Sequence, residues 1–215
     1  MSTTNEISSQ SPSKFYLLLH NIGKRQNFGQ LIRSACACGV SEIFVVGCEK
    51  IATFGNQGTT LHVDLRHFAS LAACKEFLEL RHISLVGVEI GDAAKSVTGH
   101  PFEGDTCFML GNEGLGMSEA QLAVCDSLVY IPQFSAGTAS LNVAVAGAIV
   151  MHHFALWAKY PEAARSGAKF AVAQPRYKID RYLHPTQAEA ELIAQKRQSR
   201  KEARLNETSS SPSSL

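Results

Sequence analysis

The chain has 215 residues and carries 20 Lys and Arg against 19 Asp and Glu, which gives a net charge of only +1. This balance excludes a uniformly basic nucleic-acid coat protein, although it leaves room for a local basic patch. Hydrophobic residues make up 45% of the sequence, enough for a packed core in one domain with short additions. No apolar run approaches the roughly 18 residues of a membrane span, and the N-terminus lacks the features of a secretory signal or a transit peptide.

Short apolar or β-branched runs predict strands, and apolar residues at three- and four-residue spacing predict helices. The first predicted elements are a strand at 15–20, a helix at 27–39 that Gly39 ends, a strand at 42–47 and a loop at 48–61. A helix at 67–80, a strand at 83–90, a loop at 91–104 and a strand at 106–110 follow. The last elements are a glycine-rich stretch at 111–116, a helix after Ser118, a strand at 128–131 ended by Pro132, and a long helix from Ser140 to about Lys159. Gln121, three residues after Ser118, predicts a capping box. The alternation of strands and helices predicts an α/β domain with a mainly parallel sheet flanked by helices.

The cysteines lie mostly in or beside apolar runs, at positions 36, 38, 48, 74, 107 and 125. In a chain with an ample core, this placement predicts reduced, largely buried thiols of a cytoplasmic or nuclear protein. Cys36 and Cys38 would point to different sides of one helix, and so would the adjacent His152 and His153. Since the sequence has neither an HExxH motif nor a CxxC pair, we expect no metal site.

The composition changes after Trp157. Residues 159–204 hold eleven Lys and Arg against five Asp and Glu, whereas residues 1–158 hold nine against thirteen. We therefore expect a disordered tail at 1–14, a folded domain at 15–159 and a basic extension at 160–215, with a polar helix at about 187–204 and a disordered, Ser-rich end. That helix is either a solvated surface helix or an arm that contacts phosphates.

Ligands of parallel α/β sheets bind at the carboxyl ends of strands, and polar residues gather at three such places. The first is the helix at 27–39, where Arg33 is the only charged residue between Arg25 and Glu42. A guanidinium in an otherwise apolar stretch needs an anionic partner or water. Arg33 therefore either forms a structural ion pair or extends its charge into water, or it binds a phosphate or a developing oxyanion.

The second place is the glycine-rich sequence LGNEGLG at 110–116. Its three glycines at a strand end allow a ligand to approach the backbone closely. The spacing differs from the dinucleotide fingerprint, and neither a P-loop GK[ST] nor a hydrolase GxSxG motif is present. Within this stretch, Glu113 is either an exposed turn residue or a carboxylate held for a chemical task.

The third place is the start of the long predicted helix, at Ser140, Leu141 and Asn142. Ser140 is adequately explained as the N-cap, and Asn142 is ordinary in a first turn. The free amides of a helix start also offer a site for a polar ligand group. The preceding strand and loop can bring this helix start beside the glycine-rich stretch.

Together these places resemble the three ordered motifs of the SpoU–TrmH family, S-adenosylmethionine-dependent RNA ribose 2′-O-methyltransferases of the trefoil-knotted SPOUT superfamily. The motifs are NFGQLIRSACACGV at 27–40, FMLGNEGLG at 108–116 followed by Cys125-Asp126 and Ile131-Pro132, and SLNVAVA at 140–146. The resemblance covers about residues 15–158. It implies a C-terminal trefoil knot, an exception to the rule against threading, and a homodimer with the active site at the subunit interface.

The resemblance also implies a set of site residues. Its catalytic positions fall on Asn27, Arg33, Glu113, Ser140 and Asn142. The cofactor, S-adenosylmethionine, is expected to contact Val88, Glu89, Leu110, Gly111, Asn112, Gly116, Ile131 and Leu141. The expected RNA contacts are Lys24, Arg25, Lys196, Arg197, Arg200 and Lys201.

Methyl transfer from a sulfonium to a hydroxyl is an in-line displacement that requires alignment and removal of the 2′-hydroxyl proton. In this family the arginine that matches Arg33 activates the hydroxyl. A charged guanidinium is a poor base, so it acts either after deprotonation or by stabilising the alkoxide and binding the neighbouring phosphate. The resemblance assigns Glu113, Ser140 and Asn142 to orienting the arginine or the ribose. It assigns Asn27 to positioning the substrate.

Many relatives carry an RNA-binding domain before the first motif, whereas about fourteen residues precede the first predicted strand here. We therefore expect the catalytic dimer and its basic arms to select the RNA, and we favour tRNA over rRNA as the substrate. The alternative is a non-catalytic RNA-binding protein that retains the knotted fold, which would have no need of the intact polar set. A Rossmann-type oxidoreductase is disfavoured because the fingerprint glycines are missing. The stretch Phe134 to Thr138 matches no motif.

Overall fold

The computed structural model describes residues 11–47, 58–112 and 114–176. A seven-stranded sheet lies at the centre of these residues, built from β1 (Phe15–Leu19), β2 (Glu42–Val46), β3 (Leu65–Phe68), β4 (Ser84–Val88), β5 (Lys95–Ser96), β6 (Thr106–Leu110) and β7 (Ser127–Tyr130). The strand order is β3-β2-β1-β6-β4-β7-β5, and every pairing is parallel. The predicted α/β class with a mainly parallel sheet is confirmed.

The α-helices of the described residues are α1 (Arg25–Ala37), α2 (Leu71–Leu80), α3 (Glu119–Val124) and α4 (Val143–Trp157). Short 3₁₀ turns lie at Thr59–His62 and Val97–Gly99. A small antiparallel hairpin, β8 (Arg165–Ser166) and β9 (Lys169–Phe170), follows α4. Within the described ranges, no helix has the length and apolar character needed to span a lipid bilayer.

Side chains of the central strands alternate between two hydrophobic clusters. In β1, Phe15, Leu17 and Leu19 pack in the cluster that includes α1 and α4. Tyr16 and Leu18 pack in the cluster on the opposite face, against α2 and α3. Because successive strand side chains point to opposite faces, a strand that is apolar at every position must be covered on both sides. The result is three layers with the sheet in the middle.

Helices α1 and α4 lie against each other on one face of the sheet. A Cβ added to Gly147 of α4 would lie 2.5 Å from Cδ2 of Leu31 in α1. The missing side chain therefore allows this close approach, which explains why small residues are frequent in α4. The contact also fixes where the first turns of the two helices meet.

The described cysteines are free thiols, and burial keeps at least two of them protonated. Burial raises the pKa of Cys74 to about 12 and contributes most to raising that of Cys125 to about 11. Both thiols therefore stay protonated at neutral pH and act as core side chains.

The sequence analysis did not predict two of the strands, β3 and β5. His67 and Phe68 lie in β3, so the helix predicted over 67–80 begins only at Leu71. Its N-cap is Ser70, whose Oγ accepts a hydrogen bond from the Ala73 amide at 3.1 Å. The two-residue strand β5 lies inside the loop predicted at 91–104.

The start of α4 corrects a second prediction. Asn142, not Ser140, is the N-cap, because its Oδ1 accepts hydrogen bonds from the amides of Ala144 at 2.9 Å and Val145 at 3.3 Å. The predicted role of Ser140 as the cap is wrong: its side chain is exposed two residues before the cap. Helix α4 ends at Trp157, slightly before the predicted end.

Other helix boundaries agree more closely. Helix α1 begins two residues before the predicted start, and Gly39 follows its end in the left-handed conformation, at φ +86°. The predicted capping box of α3 is present. Ser118 Oγ accepts a hydrogen bond from the backbone N–H of Gln121 at 3.3 Å, and Gln121 Oε1 accepts one from the backbone N–H of Ser118 at 3.0 Å.

Several expectations lie outside the described residues. They concern residues 1–10, the loop at 48–57, Glu113, the helix at 187–204, and the RNA-contact residues Lys196, Arg197, Arg200 and Lys201. The side chain of Arg25 also lies outside the description, although its backbone begins α1. Lys24, the residue before it, is exposed.

Candidate functional site

A cleft of about 360 Å³ opens at the carboxyl ends of β4, β6 and β7. Parallel α/β sheets bind their ligands at this end. All eight residues expected to contact the cofactor line this cleft, namely Val88, Glu89, Leu110, Gly111, Asn112, Gly116, Ile131 and Leu141. The sequence analysis missed other lining residues, including Tyr130, Gln133 and Val143. The cleft brings the motif at 108–116 and the motif at 140–146 into one site.

The glycine loop spans 111–116, and its described residues, 111–112 and 114–116, form one wall of the cleft. Two backbone hydrogen bonds join its ends. The amide of Asn112 donates to the carbonyl of Gly116 at 2.8 Å, and the Gly116 amide donates back to the Asn112 carbonyl at 2.9 Å. A Cβ added to Gly111 would lie 2.4 Å from the carbonyl carbon of Gly116. Only glycine therefore fits at position 111 while the loop keeps this shape.

Glu89 ties the glycine loop to the end of β4. Its Oε2 accepts from the Met117 amide at 2.8 Å, and its Oε1 accepts from the Ile90 amide at 3.0 Å. Gly116 has φ +70°, and a Cβ there would lie 2.7 Å from Glu89 Oε2. The glycine therefore leaves room for the carboxylate, and Glu89 shapes the cleft wall. This contact joins residues 28 positions apart, and no local sequence signal indicates it.

Two of the five expected catalytic residues contact each other. Asn142 Nδ2 donates to Asn27 Oδ1 at 3.2 Å, across 115 positions of sequence. Asn27 lies in the first turn of α1 and is only 4% exposed, and Asn142 caps α4. Their bond joins the starts of the two helices and brings the first motif to the third.

Ser140 lines the cleft just before the start of α4. Thr138 holds its backbone on both sides, because Thr138 Oγ1 donates to the Ser140 carbonyl at 3.0 Å and accepts from the Ser140 amide at 3.3 Å. The hydroxyl of Ser140 is therefore presented from a fixed backbone on an exposed residue at the cleft wall.

Arg33 lies apart from the other expected catalytic residues. It is exposed on the outer face of α1 with Gln26 and Gln30, and it does not line the cleft. Within the part of the chain that the structure describes, Arg33 has no ion pair or hydrogen-bond partner. A structural ion pair is therefore not found there, and the guanidinium is accessible to an anionic group from outside the chain.

Metal chemistry has no obvious location in the described ranges, where no group of three or more His, Cys, Asp or Glu side chains could hold an ion. His100 Nε2 and His153 Nδ1, on two half-buried side chains, lie 3.1 Å apart. Burial is the main cause that lowers the pKa of His153, so this ring favours its neutral form.

Residues 14–152 match the model of the SpoU rRNA Methylase family. The 23S rRNA (guanosine-2′-O-)-methyltransferase RlmB of Shewanella oneidensis is 29% identical over 152 residues, which cover 68% of this chain and 61% of that protein. The tRNA (guanosine(18)-2′-O)-methyltransferase of Thermus thermophilus is 29% identical over 138 residues, which cover 63% of this chain and 71% of that protein. The chain thus spans about three fifths of the length of the RlmB relative.

Solved structures share the fold. The SpoU methyltransferase AviRb from Streptomyces viridochromogenes, in complex with the cofactor AdoMet, superposes with a TM-score of 0.61 at 23% identity, covering 72% of this chain and 61% of that one. The TrmH/SpoU tRNA modifying enzyme of A. aeolicus has a TM-score of 0.59 at 22% identity, covering 70% of this chain and 77% of that one. At these identities the likeness extends to the fold.

Proposed function

Because the chain belongs to the SpoU rRNA methylase family, we propose that it transfers a methyl group from S-adenosylmethionine to a ribose 2′-hydroxyl of RNA. The observation that carries this proposal is the cleft at the carboxyl ends of β4, β6 and β7. Every residue expected from the sequence to contact the cofactor lines it. A protein that only bound RNA would have no need for such a cleft.

The cleft suits S-adenosylmethionine in size and chemistry. Its volume of about 360 Å³ lies within the roughly 300–1,000 Å³ typical of small-molecule sites. Apolar side chains such as Val88, Leu110 and Ile131 offer surfaces for a flat base, and Glu89 and Ser140 supply polar groups. At Gly111 and Gly116 an added Cβ would collide with neighbouring atoms, so the backbone itself forms the wall. When bound, the cofactor supplies an electrophilic methyl group on a sulfonium.

The residues of the chain then have to hold the ribose in line and take up its proton. The Ser140 hydroxyl at the cleft wall is suited to hydrogen-bond the ribose. Asn142 fixes where α4 begins, and Asn27 holds Asn142, so we assign both to positioning Ser140. Asn27 is 4% exposed and already bonded to Asn142, which argues against direct contact with the substrate. Glu113 retains its proposed role in orienting the arginine or the ribose.

Arg33 is proposed to activate the hydroxyl in one of two ways. Either a deprotonated guanidine accepts the 2′-hydroxyl proton, or the guanidinium stabilises the alkoxide and binds the neighbouring phosphate while the proton passes to water. Because it is exposed and does not line the cleft of its own chain, it needs a second component to meet the ribose. We propose a homodimer in which the partner subunit's Arg33 faces the cleft. The C-terminal trefoil knot that the family resemblance implies also stays a prediction.

The surface of α4 supports the dimer. The helix is apolar on nearly every side, yet Val145 and Leu156 are 49% and 58% exposed in the single chain. Helices that are hydrophobic all round are normally buried. A second copy packed on this face would cover both side chains.

We propose tRNA rather than rRNA as the substrate. Residues 159–204 are basic, which supports contacts with the phosphate backbone of a nucleic acid. An rRNA-modifying relative and a tRNA-modifying relative are each 29% identical to this chain. The test is incubation of the purified protein with methyl-labelled S-adenosylmethionine and separate pools of total tRNA and rRNA. Digestion should yield labelled 2′-O-methyl nucleosides from the tRNA pool.

Each outcome of this test has a distinct meaning. Label in rRNA alone would reject the tRNA preference and keep the reaction. No label in either pool despite cofactor binding would reject the proposed reaction on these pools and point to a narrower RNA or a missing partner. No cofactor binding at all would favour the non-catalytic RNA-binding alternative.

The basic arms make a separate prediction about RNA affinity. Deletion of residues 187–215 removes Lys196, Arg197, Arg200 and Lys201, which are expected to contact phosphates with Lys24 and Arg25. Each lost phosphate contact should reduce the slope of log affinity against log salt by about 0.7 to 0.9. Cofactor affinity should stay unchanged as the internal control. An unchanged salt slope would contradict the proposed arm.

A further inference from the structure

Phe134 is the most exposed large hydrophobic side chain among the described residues, at 94%. It lies in the β7–α4 loop, residues 131–142, directly after Gln133, which lines the cleft. Phe134 itself is not a lining residue. A phenyl ring is usually buried in a core, so full exposure beside a proposed active site needs a reason.

Exposed apolar side chains gather at the mouth of this cleft. Ile90, Leu115 and Leu141 line it and are 62%, 89% and 37% exposed. Leu115 belongs to the glycine loop, and Leu141 and Phe134 belong to the β7–α4 loop, so both loops that enclose the cleft present apolar groups to water. Clustered apolar exposure of this kind marks a surface that contacts a ligand.

Hydrogen bonds within the β7–α4 loop order the residues directly after Phe134, from Ser135 to Ser140. Ser135 Oγ accepts from the Gly137 amide at 3.2 Å. Thr138 Oγ1 bonds both the amide and the carbonyl of Ser140, at 3.3 and 3.0 Å. A ring displayed on such a backbone loses little further conformational freedom when it binds a ligand.

We propose that Phe134 stacks on an unpaired nucleobase of the RNA whose ribose enters the cleft, with Leu115 as a second apolar contact. The inference rests on the proposed function, since the cleft must then admit a ribose at its mouth. Bases splayed out of single-stranded RNA are commonly held by stacking on aromatic side chains. A cofactor in the cleft would cover its interior, whereas Phe134 lies outside the lining and Leu115 is 89% exposed, so both side chains stay available to the RNA.

The chemistry of the ring limits its role. Phenylalanine has no hydrogen-bonding group, so it stacks on any base and does not read base identity. It therefore acts as a positioning residue that holds the acceptor nucleotide or its neighbour at the cleft. Its loss should raise KM for RNA and leave cofactor affinity unchanged.

The test compares Phe134→Ala, Phe134→Leu and Phe134→Trp with a matched control, Leu80→Ala. Leu80 is 77% exposed at the end of α2 and does not line the cleft. With the RNA pool that the wild type methylates, the Ala and Leu variants should raise KM for RNA by about 5- to 100-fold. The Trp variant keeps a stacking ring and should stay near the wild-type KM, as should the Leu80 variant.

A second readout does not depend on turnover. Ultraviolet irradiation of the protein with total tRNA or rRNA, without cofactor, should attach a nucleotide to the peptide that contains Phe134. If the wild type methylates neither pool but this crosslink forms, the proposed reaction fails and the stacking contact stands. Crosslinks confined to other peptides, or equal KM values in wild type, Ala and Leu variants, would overturn the proposal. A loss of dimer on sedimentation of the Ala variant would also overturn it and assign Phe134 to contact with a second copy.

Discussion

The cleft at the ends of β4, β6 and β7 and the outer face of α1 differ in how completely one chain builds them. In the cleft, backbone hydrogen bonds close the glycine loop and Glu89 anchors it. On α1, the Arg33 side chain is exposed and has no ion pair or hydrogen bond within the described residues. In our proposal, the cleft is the methyl-donor side and is complete in one chain, whereas the acceptor side is completed by RNA and a second copy.

The physical reason for this difference lies in what each side must bind. A cofactor pocket needs a fixed shape, which backbone contacts over a few residues provide. A cation meant for a phosphate or an alkoxide must stay unpaired until the anion arrives, since an internal ion pair would compete with it. Substitutions on the two sides should therefore affect different steps.

The largest effect is expected from Arg33→Ala. Loss of a group that stabilises transition-state charge typically lowers kcat by about 10²- to 10³-fold. Cofactor affinity should not change, because Arg33 does not line the cleft. Steady-state kinetics and calorimetric titration of the cofactor measure the two quantities. Gln30→Ala, on the same exposed face of α1, is the control and should behave like the wild type. Full activity of the arginine variant would remove Arg33 from the mechanism.

The next effect is expected from Gly111→Ala on the donor side. The added Cβ would lie 2.4 Å from Gly116, so the loop must shift. Overpacking of this kind costs about 1–3 kcal/mol, which corresponds to a loss of cofactor affinity of about 5- to 150-fold if the bound state bears the whole cost. Gly114→Ala is the matched control, since its Cβ would lie 3.7 Å from Asn112 Oδ1 in ordinary contact. Equal cofactor affinity in the two variants would show that loop shape does not determine binding.

The contact between the two helix starts should appear in unfolding experiments. Asn27→Ala and Asn142→Ala should each lower the free energy of unfolding, and a double-mutant cycle should give a coupling of about 1 kcal/mol for their hydrogen bond. Asn142→Ala should cost more, because it also removes the cap of α4. Ser140→Ala should change stability by less than about 0.5 kcal/mol. A larger loss at Ser140 than at Asn142 in urea titrations would reinstate Ser140 as the cap.

The smallest effect is expected at Ser118, which caps α3 just after the glycine loop. Ser118→Ala should lower the free energy of unfolding by about 1 kcal/mol through loss of the capping box. Because Ser118 does not line the cleft, cofactor and RNA affinities should stay at wild-type values. A change in either affinity at unchanged stability would mean that α3 takes part in binding.

The sequence predicted the five strands that contain consecutive apolar residues, namely β1, β2, β4, β6 and β7. Strands β1 and β6 are buried at all five positions, which leaves a local apolar signal. Strand β3 is an edge strand with Arg66 and His67 exposed, and its last residue fits the helical spacing of α2. Its conformation follows from parallel pairing with β2, where Ile43 lies opposite Leu65. The four-residue sequence of β3 alone does not indicate this pairing.

The site shows the same division between local and tertiary information. The glycine loop and the helix start were found because their residues lie within short motifs. Ser140 and Asn142 are both good capping residues two positions apart. In the structure Asn142 accepts the capping hydrogen bonds and also donates to Asn27 on α1, a contact that no local pattern indicates. Glu89 gains its role from the Met117 amide, which the fold brings close.

In our proposal the donor side lies within one chain and two chains share the acceptor side. The most direct test is complementation between two impaired variants, assayed at a cofactor concentration too low to fill the Gly111→Ala cleft. Arg33→Ala keeps the cleft and Gly111→Ala keeps the arginine, so a mixed dimer should contain one intact site. After subunit exchange, verified with two affinity tags, an equal mixture should recover about a quarter of wild-type methylation, since about half of the dimers are mixed and each has one working site of two. No recovery despite verified exchange would contradict the account, because Arg33 and the cleft would then have to act within the same chain.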